Sequence, residues 1–214
     1  MTPAEASSHL LEIAKKAPVI PVLVIDDAAK AADMAEALVA GGLPILEVTL
    51  RTPAALAAME AMAQIPGSIV GAGTVLTADQ AKAAKDAGAT FAVSPGSTPK
   101  LIDALEAIEL PALPGIATSS EAMALLERGY TFLKFFPAEA IGGAPAVKSM
   151  ASPLQQISFC PTGGITPEIA PSYLKLPNVV CVGGSWVAPK AAVDAGDWDK
   201  VRDLAANASG LLPA

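Results

Sequence analysis

The sequence holds one histidine, His9, and two cysteines, Cys160 and Cys181, and these scarcities narrow its chemistry. Metal sites draw on clusters of imidazole, thiolate and carboxylate groups, and no such ligand spacing is visible. No metal or other cofactor is therefore expected, and His9, on an N-terminal helical stretch, reads as a surface residue. Each cysteine falls inside a core strand, where a small buried thiol is expected rather than a bridge or ligand. A reducing, cytoplasmic setting fits. The chain is 52% apolar with a mean hydropathy of +0.48, yet no uninterrupted apolar run approaches a membrane span. The stretch from Met1 to Ala17 is broken by Glu5, His9, Glu12, Lys15 and Lys16, so it is not expected to be a signal peptide. No Lys/Arg cluster relieves the net charge of −7. That balance argues against nucleic acid, and an anionic ligand must be held by local donors rather than by global steering. With no linker, low-complexity segment or composition break, the 214 residues are expected to form one domain spanning 1–214.

What the chain does contain is a repeat. A short apolar strand, a polar turn, an alanine-rich helical stretch and a glycine recur about every 20 to 25 residues, the pattern of βα units. The expected strands are Val19 to Ile25, Ile45 to Leu50, Ile69 to Val75, Thr90 to Ser94, Pro111 to Ile116, Thr131 to Phe135, Gln156 to Cys160 and Val179 to Val182. Thr52-Pro53 and Thr166-Pro167 look like helix starts, a hydroxyl before an N1 proline, and Thr77 to Gln80 and Thr118 to Glu121 have capping-box spacing. Gly41-Gly42, Gly88 and Gly129 mark helix ends. Thr2-Pro3 followed by Glu5 starts an extra N-terminal helix whose Ala6, Leu10, Ile13 and Ala17 share a face, suited to lid one end of the domain or pack beside it. Eight βα units most economically close into an α/β fold of the (β/α)8 TIM-barrel type; a doubly wound open sheet is the rival.

The run Thr131-Phe132-Leu133-Lys134-Phe135-Phe136 places an amine in an otherwise apolar strand. Taking an ammonium out of water is costly unless it is paired or deprotonated, and a neutral amine is a nucleophile for carbonyls. The simpler account is a strand-tip lysine that snorkels to solvent. In the second strand Leu46, Val48 and Leu50 alternate with Glu47, Thr49 and Arg51, so the polar set shares one face. Glu47 buried under a helix layer would serve nothing; pointing inward, it converges on Lys134, which shares its own face with Phe132 and Phe136. A carboxylate and an amine meeting inside such a fold suit a Schiff-base site with a proton shuttle, the alternative being a purely structural ion pair.

Small residues and hydroxyls gather at the same rim in Gly71-Ala72-Gly73-Thr74 and Ser94-Pro95-Gly96, leaving room for a small ligand. Pro161-Thr162-Gly163-Gly164 follows the seventh strand and Gly183-Gly184-Ser185-Trp186 the eighth, before a short extra helix capped by Pro189. Phosphate sites in this fold favour those two loops, with backbone N–H groups as donors, although a lone Gly-Gly pair is more often a turn.

Six segments in order then carry a resemblance: Glu47 to Thr52, Gly71 to Leu76, Phe91 to Gly96, Lys134-Phe135-Phe136-Pro137-Ala138-Glu139, Pro161 to Gly164, and Gly183 to Trp186. Together they resemble the 2-keto-3-deoxy-6-phosphogluconate (KDPG) aldolase and 4-hydroxy-2-oxoglutarate aldolase family over essentially the whole chain. The resemblance implies a class I aldolase of the Entner-Doudoroff pathway, a homotrimer of (β/α)8 barrels that cleaves a phosphorylated keto acid to pyruvate and D-glyceraldehyde 3-phosphate. It implies Lys134 as the Schiff-base lysine and Glu47 as the acid/base residue. Arg51, Thr74 and Thr162 match the pyruvyl-carboxylate side, Gly163, Gly164, Gly184 and Ser185 the phosphate site, and Pro95 and Phe136 the pocket wall. Ile141 departs from the polar residue expected of relatives there, beyond the catalytic run. A sister aldolase for the galactonate epimer or for hydroxyketoglutarate, and a non-catalytic barrel that binds a sugar phosphate, remain as alternatives.

Overall fold

The computed structural model describes Met1 to Leu211; the last three positions of the expected domain, 212–214, lie outside the described residues. Its parallel strands are β1 (Val19–Leu23), β2 (Ile45–Thr49), β3 (Ile69–Gly73), β4 (Phe91–Val93), β5 (Ala112–Leu113), β6 (Gly115–Ile116), β7 (Phe132–Phe135), β8 (Ser158–Pro161) and β9 (Val182–Gly184). Two groups are hydrogen-bonded, in the orders β5-β4-β3-β2-β1-β9 and β6-β7-β8. Single parallel bridges, Phe159 to Val179 and Thr162 to Gly183, link the second group to the edge of the first. The result is an α/β fold built on a curled parallel sheet.

Among the described residues, ten helices precede, connect or follow these strands, with short 3-10 turns at Ala28–Lys30 and Glu139–Ile141. The longer ones are α1 (Pro3–Ala14), α2 (Ala31–Ala40), α3 (Ala55–Ala63), α4 (Ala78–Asp86), α5 (Pro99–Ala107), α6 (Ser119–Glu127), α7 (Gly143–Met150) and α10 (Trp198–Ser209); α8 (Ala170–Leu174) and α9 (Lys190–Ala195) are short. Every strand residue of β1 and β2 is buried, the burial expected of a parallel sheet covered on both faces. None of the helices of the described residues is long and apolar enough to cross a membrane.

Several expected boundaries shift for identifiable reasons. Proline has no N–H to give a ladder, and the strand expected from Pro111 to Ile116 is split at Pro114 into β5 and β6. The last strand begins at Val182 rather than Val179 and runs through Gly183 and Gly184, so this glycine pair lies in the sheet and not after it. Thr52-Pro53 is a turn: the Thr52 hydroxyl donates to the Ile25 carbonyl, and α3 starts at Ala55 with no side-chain cap. At Thr166-Pro167 the Thr166 carbonyl accepts from Ile169 and Ala170, and α8 begins only at Ala170. Thr2 with Glu5, and Thr118 with Glu121, form full capping boxes. Thr77 caps α4 through the Gln80 amide, while Gln80 itself accepts from Leu76. Gly42, Gly88 and Gly129 follow their helices with φ of 87°, 92° and 99°, a left-handed conformation that a side chain would strain.

The N-terminal helix lies across the N-terminal ends of the strands, where Leu10, Ile13 and Ala14 meet Ile20, Ile45 and Phe132. Its buried Ser7 hydroxyl accepts from the backbone N–H groups of both Thr131 and Phe132 at 2.9 Å, fastening the start of β7. Ser7→Ala should strand two donors at once and lower stability by roughly 2 kcal/mol, within the ~1 to 3 expected for an unpaired buried group. A urea midpoint equal to that of the parent chain would show that the hydroxyl contributes nothing.

Candidate active site

Glu47 in the middle of β2 and Lys134 in β7 come from positions 87 residues apart and meet inside the sheet, with the Lys134 Nζ donating to Glu47 Oε1 at 3.2 Å. Their side chains are 3% and 5% exposed, so the lysine does not reach solvent. Removing either partner of such a pair would leave the other buried alone. Strand β3 makes the space: a side chain on Gly73 would collide with the Glu47 carboxylate. Gly73 thus makes room for Glu47 itself, and Gly71 for the Phe91 ring.

The Phe136 ring centroid lies 5.4 Å from the Lys134 Nζ. The same ring packs 3.3 Å from where a Cβ on Gly163 would sit, which places Phe136 between the lysine and the loop after β8. At the outer edge of β2 the exposed Arg51 donates from Nε to the Thr74 hydroxyl at 3.2 Å. Thr74 has a φ of 58°, unusual for a β-branched residue and a form of local strain. Pro95 is half-buried at the end of β4.

Beneath the lysine, Cys160 is its register partner in β8. Both cysteines are buried and free, and the Cys181 thiol is pushed well up by a hydrogen bond to Cys160 and by burial. A thiol in that state is not a nucleophile. Thr162 is buried beside the Gly183 backbone, whose missing side chain makes the room it occupies. Among the described residues, no group of three or more His, Cys, Asp or Glu could hold a metal ion, and His9 is exposed on α1.

The glycine loops divide into two kinds. Gly163 and Gly164 have φ of 105° and 78°, and their amides donate to no protein acceptor among the described residues. These two successive amides are therefore backbone donors left unused by the protein. Gly184 differs: a side chain there would run into the Trp186 ring, so this glycine has a packing reason of its own. Ser185 is exposed and lines a cleft of about 400 Å3 with Val22, Asp26, Trp186, Lys190 and others; Glu47 and Lys134 do not line it. Lys190 is spent on Asp26 at 3.0 Å and Asp194 at 3.1 Å, and hydrogen bonds to these two hold its ammonium above its ordinary value. The cleft therefore offers an anion no free cation from Lys190.

Glu139 and Tyr173 were not singled out from the sequence, although Glu139 ends the lysine motif. The Tyr173 hydroxyl donates to Glu139 Oε1, joining α8 to the segment after β7 across 34 residues. No local pattern announces such a contact.

A sequence model of the KDPG and KHG aldolase family matches residues 10–204. A 2-dehydro-3-deoxy-phosphogluconate aldolase of Zymomonas mobilis is 53% identical over 202 residues, covering 94% of this chain and 96% of the relative. A crystal structure of 2-keto-3-deoxy-6-phosphogluconate aldolase from the same species superposes with a TM-score of 0.91 at 52% identity, covering 95% of this chain and 97% of that one. The KDPG aldolase of Legionella pneumophila, with pyruvate captured as a covalent carbinolamine, gives a TM-score of 0.90 at 44% identity over 98% of each chain. By sequence and by fold, this chain belongs to the KDPG and KHG aldolase family.

Proposed function

We propose that this chain is a class I aldolase that cleaves 2-keto-3-deoxy-6-phosphogluconate to pyruvate and D-glyceraldehyde 3-phosphate, with Lys134 as nucleophile and Glu47 as acid/base. The observation that carries this is the buried 3.2 Å pair of Lys134 and Glu47. An amine attacks a carbonyl only in its neutral form, and the adjacent carboxylate is placed to take the proton the amine must lose.

Attack of Nζ on the C2 ketone gives a carbinolamine, and loss of water gives a protonated imine. Glu47 takes the proton of the C4 hydroxyl, the C3–C4 bond breaks, and its electron pair moves into the imine to form an enamine. The aldehyde leaves. Returning that proton to C3 gives the imine of pyruvate, which water hydrolyses to pyruvate and the free lysine. Phe136 shields the lysine stem, Arg51 and Thr74 meet the substrate carboxylate with Thr162, and Pro95 closes the wall.

The phosphate is received by the free amides of Gly163 and Gly164, with the Ser185 hydroxyl and the backbone at Gly184 on the neighbouring strand. We also propose that the curled sheet closes as one (β/α)8 barrel domain, through the bridges from β8 to β9 and the continuity of β5 with β6 at Pro114. The assembly is a cytoplasmic homotrimer without cofactor, and its partner is the small phosphorylated keto acid.

A substrate panel tests the assignment. The gluconate epimer should be cleaved with a higher kcat/KM than the galactonate epimer or unphosphorylated hydroxyketoglutarate. Ser185→Ala removes one hydrogen bond to a charged group, about 1.5 to 3 kcal/mol, and should lower kcat/KM on the phosphorylated substrate roughly ten- to a hundredfold. Hydroxyketoglutarate, which has no phosphate, should be cleaved almost as before. Equal losses on both would place the phosphate elsewhere.

A further inference from the structure

The loop after β8 is gripped from one side by a residue that the mechanism leaves unused. The Ala138 amide donates to the Thr162 carbonyl at 2.8 Å and the Glu139 amide to the Gly163 carbonyl at 3.1 Å, so the start of the 3-10 turn after β7 is fastened to the loop after β8. The Glu139 stem then lies flat on the next residue: a methyl group on Gly164 would meet its Cβ at 2.8 Å and its Cγ at 3.0 Å. Its carboxylate continues to the first turn of α7, where Oε1 sits 3.2 Å from the Cβ position of Gly143. A helix N-terminus favours a carboxylate there. The hydroxyl of Tyr173, a fully buried residue of α8, donates to the same oxygen. Burial, then the hydrogen bond to Glu139 and its charge, raise the Tyr173 hydroxyl above its ordinary value, so it remains a donor.

These contacts enclose the two glycines whose amides have no protein acceptor. We propose that Glu139, clamped by Tyr173, is a positioning residue for the phosphate cradle: its stem supports Gly164 from behind, and its tethered head keeps a carboxylate from swinging onto the free amides of Gly163 and Gly164. The inference rests on the phosphate assignment above and names the part of the protein that shapes that site. An untethered carboxylate would compete with the ligand for those amides and repel its negative charge. Clamping converts a residue that would oppose phosphate into one that braces its receptor.

The test compares three variants in the full-length protein on the phosphorylated keto acid and on unphosphorylated hydroxyketoglutarate. Tyr173→Phe deletes only the tether, and Glu139→Ala deletes the brace. Both should raise KM for the phosphorylated substrate about tenfold, the effect of one charge-assisted hydrogen bond, with kcat, pyruvate-dependent borohydride trapping and cleavage of hydroxyketoglutarate retained. Glu139→Gln keeps the stem and an acceptor oxygen for Tyr173, and should restore a KM within about twofold of the parent value. A general loss of packing would depress both substrates together, and that result overturns the clamp. A parent-like KM in Tyr173→Phe and Glu139→Ala, beside a phosphate-selective defect in Ser185→Ala, overturns the clamp and leaves the phosphate assignment standing. No selectivity in any of these variants overturns both.

Discussion

Treatment with pyruvate and borohydride should inactivate the enzyme and leave a reduced pyruvate adduct on Lys134, and Lys134→Arg should abolish both turnover and labelling. The reasoning starts from burial. Lys134 is buried beside a carboxylate, whereas Lys148 and Lys175 are exposed on the helical layer, where nothing takes up a proton or excludes water from an imine. Arginine keeps a positive charge next to Glu47, which avoids the ~3 to 5 kcal/mol cost of leaving one partner of a buried pair alone. Its guanidinium stays protonated and cannot form the imine. The loss should be on the scale of the roughly 10⁶-fold drop that follows deletion of a covalent nucleophile. Circular dichroism checks that the variant is folded. A peptide map that puts the label on Lys148 or Lys175, or finds none, would sink the mechanism.

The second large effect is expected at the other half of the pair. Glu47→Gln preserves size in the space that Gly73 provides, but it removes the carboxylate proposed to shuttle protons between amine, carbinolamine, C4 hydroxyl and enamine. Turnover should fall by roughly 10² to 10⁴. The groups proposed to recognise substrate at the rim and at the glycine loop are untouched, so the fold and pyruvate binding should persist. Exchange of the pyruvate methyl protons with solvent isolates the step, because it needs the enamine and its reprotonation but no aldehyde. Exchange at the parent rate in Glu47→Gln would eliminate Glu47 as the shuttle.

The convergence of Lys134 and Glu47 was legible in the sequence because two-residue alternation in a strand assigns faces, and a charged residue on an inward face leaves few options. The capping boxes at Thr2 and Thr118 were legible for the same kind of reason, since donor and acceptor lie three residues apart. Local signals failed where a distant group claimed the same atoms. Thr52-Pro53 has the composition of a helix start, yet its hydroxyl is taken by Ile25 of a neighbouring strand connection. Gly183 and Gly184 read as the loop after the last strand but lie in β9, where Thr162 and Trp186 occupy the space a side chain would need. Gly73 read as ligand room, and the Glu47 carboxylate lies over it. The Tyr173 contact with Glu139 gave no signal, because a hydrogen bond between a helix and a distant loop leaves no spacing in the chain.

The pairing of β2 with β7 through their side chains also bears on how activity appears during folding. Glu47 belongs to the group of strands from β1 to β5 with β9, and Lys134 to the group from β6 to β8. On the proposed mechanism, neither half contains a reaction centre. Contacts between distant parts of a chain form late because loop closure must be met before they contribute, so helices and local βα units can be complete while the enzyme is still inert. Catalysis in this protein therefore reports the union of the two strand groups, and a chain severed between Thr49 and Phe132 regains it only when both pieces dock.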